Sequence, residues 1–159
     1  MLKLSEIQFA LAEEPYLNLI SKLINFYYKN NYKVLVLCDN QDDLEQIDES
    51  LWSFDEISFV PHNIYTQNNM TLSPVLIANK DLIPNIYSYN VLINLSDIIP
   101  NKYINFKKVI EIVKDEEIRK NISRNHYKFY KSQGLEILTT KLEDLVNTNS
   151  ENVSTKENA

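Results

Sequence analysis

The chain has 159 residues, 44% apolar and 24% charged, enough for one α/β-sized domain with its own core. A formal charge of −6 argues against binding nucleic acid over the whole surface. No apolar stretch approaches the ~20 residues of a membrane helix, no leader peptide is expected, and a single Cys38 cannot form an internal disulfide, which fits a cytoplasmic protein.

Residues 7–12 read as a first strand. Pro15, at an N1 position, opens a helix to about residue 30, with Leu17, Ile20, Ile24 and Tyr27 as its apolar stripe. Residues 33–38 (Lys-Val-Leu-Val-Leu-Cys) form a continuous apolar run, the mark of a strand covered on both faces. Asn40 caps the next helix, 40–51, with Asp42 and Asp43 in its first turn and Leu44, Ile47 and Leu51 on one side. Alternation of this kind predicts a single-domain, Rossmann-like α/β fold, a mostly parallel sheet flanked by helices.

Residues 51–63 then fit no regular element. They hold the only Trp (Trp52), with Phe54, Phe59, Pro61 and His62. Pro61 argues against a central strand here. A surface loop this aromatic either folds its rings onto the core or offers them to another protein.

Strand-like runs follow at 74–78, which is short and Pro-led, at 90–95 and at 107–113. Asp115, Glu116 and Glu117 open a helix that ends at Gly134, the only glycine, in the left-handed C′ position. Residues 135–142 are a candidate last strand. The folded domain is expected over 1–143, with 144–159 a disordered polar tail.

Nucleotide chemistry is excluded by what is missing. A phosphate cradle needs glycines, because a Cβ prevents the close backbone approach. After the first strand stands Ala10-Leu11-Ala12-Glu13-Glu14-Pro15, whose carboxylates repel phosphate. Cys38, His62 and His126 show no metal-ligand spacing, and no nucleophile is paired with a base. No cofactor, metal or catalytic residue is expected. Cys38 reads as a small core residue and His62 as packing or interface.

Charge is unevenly placed. Residues 118–131 hold five of the 16 Lys+Arg and none of the 22 Asp+Glu. At ~100° per residue, Ile118, Ile122 and Phe129 fall within about 40° of one another and read as the buried stripe. Tyr127, Lys120, Lys131, Arg124 and Lys128 share an arc of about 100° on the opposite side. Such a face is either simply solvated or meets an anionic partner. Like charges at i, i+4, as in Lys120–Arg124–Lys128, are unfavourable neighbours, which points to the partner. One narrow stripe suits a short acidic peptide ending in a carboxylate better than nucleic acid, which needs many phosphate contacts. A single-stranded nucleic-acid-binding module using this helix is the alternative.

Two motifs carry a resemblance. Ile47-Asp48-Glu49-Ser50-Leu51-Trp52 with Ser58-Phe59-Val60-Pro61-His62-Asn63 is one; Arg124-x-x-Tyr127-Lys128-x-Tyr130-Lys131-x-x-Gly134 is the other. Together, over roughly residues 5–142, they resemble the chi subunit family of bacterial DNA polymerase III. The resemblance implies a non-catalytic accessory subunit that binds the acidic C-terminal tail of single-stranded DNA-binding protein and reaches DNA only indirectly. It assigns tail binding to Val113, Lys120, Arg124, Tyr127 and Lys128. It assigns Trp52, Phe59, Pro61 and His62 to the face that meets a psi subunit, and through it the clamp loader, or another partner. Two departures stand out: the loop after His62 is not Gly-rich, and a polar C-terminal tail is added.

Overall fold

The computed structural model describes residues 4, 6–55, 57–85 and 88–148. Seven parallel strands form one sheet: β1 (Glu6–Ala12), β2 (Val34–Cys38), β3 (His62–Ile64), β4 (Val75–Asn79), β5 (Val91–Asn94), β6 (Lys108–Lys114) and β7 (Ile137–Lys141), in the order β3-β4-β2-β5-β6-β1-β7. The expected parallel α/β architecture is therefore present.

The continuous apolar runs have a direct explanation. Val34, Val36 and Cys38 face one core layer while Leu35 and Leu37 face the other, so β2 is buried at every position. Over the first layer pack α1 (Leu17–Lys29), α2 (Gln41–Ser53) and a short helix over 142–148. Over the second lie α3 (Glu117–Ser132) and a 3-10 turn at Tyr103–Asn105. Burial pushes the Cys38 thiol up to about 12, as for an inert core residue.

Local signals place the element ends. Asn40 Oδ1 accepts from the Asp43 amide at 2.9 Å, and Leu44, Ile47 and Leu51 are buried, as expected. Gly134 has φ +74°; its N–H reaches Lys131 O at 3.0 Å and the next amide, Leu135, reaches Tyr130 O at 3.3 Å. This reciprocal pair is a Schellman closure, with Leu135 returning to the apolar layer under α3.

Several expectations need correction. Pro15 is not the first residue of α1; Tyr16 is the N-cap, its ring packed on the core beneath Lys114 Nζ at 5.7 Å. Asp115 lies outside the first turn of α3, where Glu116 is the N-cap. The Pro-led run at 74–78 becomes β4, interior to the sheet, because Pro74 stands just before it and needs only its carbonyl, which accepts from the Val34 amide at 2.8 Å. Residues 51–63 are not wholly irregular: 51–53 end α2 and His62 opens β3, an edge strand, as Pro61 just before it requires. The tail expected from 144 begins inside the fold: residues 142–148 are helical, and Leu142 and Val146 are buried because they cover the layer beside α1. The rest of that tail, 149–159, lies outside the described residues.

Candidate functional site: a basic groove on α3 and an exposed aromatic platform

The ends of the central strands, where open parallel sheets usually bind ligands, are closed by charge. Asp39 after β2 pairs with Arg119 of α3 and, at 3.5 Å, with Lys80 after β4; Lys80 also meets Asp97 at 2.8 Å. Burial works against the Asp39 carboxylate, but the Asp97 amide, Arg119 and Lys80 outweigh it and hold the group below the usual range. Oppositely charged side chains fill the crevice.

Helix α3 is anchored by polar groups. Glu111 of β6, 2% exposed, meets His126 Nδ1 at 2.8 Å and accepts from Tyr130 OH at 2.7 Å and Asn94 Nδ2 at 2.9 Å. His126 Nε2 meets Asp97 O at 3.0 Å, so both ring nitrogens face acceptors. Burial alone would lower the imidazole pKa; the Glu111 hydrogen bond and charge, with Asp97, raise it on balance. Tyr130 is pushed up by burial, then by Glu111.

This anchoring overturns the expected buried stripe. Ile118 is 75% exposed and Phe129 39%, whereas His126 and Tyr130 are the buried residues of α3. The helix is turned by about 80° from the apolar-stripe expectation, at ~100° per residue. The reason is Glu111: a buried carboxylate must be hydrogen-bonded, and His126 and Tyr130 supply the donors.

The turn gives the cationic face a different setting. Tyr127 and Lys120 move from the outer face to the sheet margin, and the basic residues rim a cavity of about 470 Å³. Phe9, Leu11 and Val113, alternate residues of the adjacent strands β1 and β6, line it together with Thr139 of β7. Lys120, Ser123, Arg124, Tyr127 and Lys128 line it from α3. All five residues assigned by resemblance to peptide binding thus meet in one cavity. Phe9, Leu11, Ser123 and Thr139 were missed; the i, i+2 spacing of Phe9 and Leu11 signals a shared strand face but not its neighbour.

The cations differ in availability. Arg119 is withdrawn to Asp39, and Lys120 is tied to Asp115 at 2.9 Å. Arg124 donates to Asn121 Oδ1 at 2.6 Å, and neither it nor Lys128 has a carboxylate partner among the described residues. Lys131 Nζ lies 5.8 Å from the centre of the Tyr127 ring. The cavity therefore has an apolar floor, an aromatic wall and cations able to meet carboxylates.

On the opposite sheet edge, Trp52 in the last turn of α2 is 59% exposed, Phe59 63% and Ile57 93%; Phe54 folds back onto the core layer. Trp52 contacts Phe59 at 5.7 Å and His62 at 4.8 Å between ring centres. The His62 side chain is only 1% exposed, with Nδ1 2.6 Å from Val60 O and Nε2 3.0 Å from Asp48. His62 is a prop under the rings, and Pro61 is half-buried beside it. The segment offers the rings of Trp52 and Phe59 and turns Phe54, Pro61 and His62 inward.

These features define an α/β scaffold with a small basic groove, no phosphate loop and no group of potential metal ligands among the described residues. No helix among them is long and apolar enough to cross a membrane. The family model described as "DNA polymerase III chi subunit, HolC" matches residues 4–138, and the chain belongs to that family, an accessory subunit of a DNA replication complex. It is 30% identical to the DNA polymerase III subunit chi of Haemophilus influenzae over 112 residues, 70% of this chain and 77% of that one. The Escherichia coli subunit chi is 28% identical over 112 residues (70% and 76%), and that of Pseudomonas aeruginosa 26% over 118 (74% and 80%). Among solved structures, Saccharomyces cerevisiae Dbp5 bound to RNA and ADP BeF3 superposes with a TM-score of 0.68 at 14% identity, over 94% of this chain but 44% of that one. That likeness is one of fold.

Proposed function

We propose that this chain links the DNA polymerase III assembly to single-stranded DNA-binding protein by holding the acidic C-terminal tail of that protein in the α3 groove. The observation that carries the reading is the cavity itself, where an apolar floor is rimmed by Arg124, Lys128 and Lys120. A terminal aromatic side chain enters over Phe9, Leu11 and Val113, and the tail's carboxylates meet the cations. Hydrogen bonds to charged groups contribute ~1.5–3 kcal/mol each. Titration with a peptide ending Asp-Asp-Ile-Pro-Phe is the test. Arg124→Ala should weaken binding on the order of tenfold or more while the fold survives; unchanged affinity removes the assignment.

The exposed Trp52–Phe59 pair favours a second contact, with a psi subunit or another protein of the same assembly on the clamp-loader side. Two exposed aromatic rings in contact with each other fit an interface better than a core. In the rival reading, in which the α3 cations bind single-stranded nucleic acid directly, affinity for bare oligonucleotide falls steeply with salt; one short peptide gives a shallow slope.

A further inference from the structure

A second cleft, of about 340 Å³, lies between the C-terminal half of α1 and the turn after α2. Two half-buried rings, Phe26 and Phe54, line it, and both rest on the core layer beneath. Lys22 and Lys29, seven residues and about two turns apart, project from the same side of α1. Both are exposed, and neither has an ion pair among the described residues. Asn25 stands between them, and its Oδ1 is a buried acceptor with no hydrogen-bond partner. The one acid in the lining, Asp55, makes no ion pair with them, although Lys29 and Lys22 lie within electrostatic reach of it; its oxygens accept from the Ile57 amide at 3.1 Å and Ser58 Oγ at 2.8 Å.

We propose that this cleft is a second binding site for a short acidic peptide segment with an aromatic or branched apolar side chain. The apolar group enters between Phe26 and Phe54, and carboxylates meet Lys22 and Lys29. Two cations beside one acid are too few for a nucleic-acid track, which needs several phosphate contacts. They match the charge of one or two carboxylates on a peptide whose apolar end the rings desolvate. The pattern is that of the α3 groove, built from different elements. A partner presenting several identical acidic tails could occupy both sites, and its avidity would exceed either affinity alone.

The choice of probe rests on the α3 reading; the cleft stands on its own residues. Amide spectra of the full chain and of Arg124→Ala are recorded during titration with the peptide ending Asp-Asp-Ile-Pro-Phe. Two sets of shifts are expected, one around 113–131 at low peptide and one at Lys22, Asn25, Phe26, Lys29 and Phe54 at higher peptide. The second set should persist in Arg124→Ala and weaken at least tenfold in the Lys22→Glu/Lys29→Glu double variant, whose other resonances report an intact fold. No second set at millimolar peptide, or one unchanged by the double variant, overturns the proposal. Shifts in the cleft with an oligothymidine but not with the peptide overturn it in favour of a nucleic-acid site. Absence of the first set alone in the unsubstituted chain counts against the α3 reading and leaves the cleft standing.

Discussion

Glu111 takes part in hydrogen bonds with three side chains, two on α3 and one on β5, and α3 sits where it does because of that one carboxylate. Glu111→Ala, which strands His126 and Tyr130 without their acceptor, should cost on the order of 3–5 kcal/mol. The imidazole adds a pH signature. Its pKa is raised in the folded state above the ordinary ~6.5, so its contribution is fully present below that value and is lost as pH rises through the folded pKa. Urea melts should show stability flat just below about pH 6.5 and declining above it. A curve that rises there instead would contradict the assignment, and in Glu111→Gln the decline should shrink. Only in the carboxylate range does Asp39 take stability away as pH falls. A buried Glu within an otherwise apolar strand is visible in the sequence, but its partners, 15 and 19 residues away on a helix and 17 away on a strand, are not.

At the scale of elements, the Asn40 cap, the Gly134 stop and the buried faces of α1 and α2 were legible, and the face of α3 was not. Gly134 shows why: a left-handed residue after a basic helix has a local signature, independent of what the helix packs on. A Cβ at Gly134 would meet nothing within 4 Å, so Gly134→Ala carries backbone strain alone, about 1 kcal/mol by chemical denaturation. The face of α3 is different. Periodicity counts the apolar residues of one helix, and in α3 the buried positions are a His and a Tyr. The last turn of α2 also escaped a local reading, because its Trp52 points to solvent. Trp52 emission should be red-shifted and readily quenched by iodide in the isolated chain. A blue, unquenched spectrum would mean that the platform is closed and would sink the interface reading.

At the scale of the molecule, the net charge of −6 conceals separate basic sites, one on α3 and a smaller one on α1, on opposite faces of the sheet. The fold also extends further than composition suggests. Val146 is 5% exposed, so a chain ending at Glu143 should melt several degrees below one ending at Thr148, at roughly 2–4 °C per kcal/mol for a protein of this size. Equal melting points would show that the 142–148 helix adds nothing to the core. What the sequence determined by itself was local or compositional: apolar runs that must be covered on both faces, the Asn40 cap, the Gly134 stop, the absence of a phosphate cradle, and two motifs that identify the family. Each of these is a property of neighbouring residues or of a missing residue type. Tertiary structure alone decided the strand order, the turn of α3 onto Glu111, the withdrawal of Arg119 to Asp39 and the joining of Phe9, Leu11 and Thr139 to the basic face. Those outcomes pair residues as far apart as Phe9 and Thr139, which meet because β1 lies between β6 and β7, a choice made by the packing of the whole sheet.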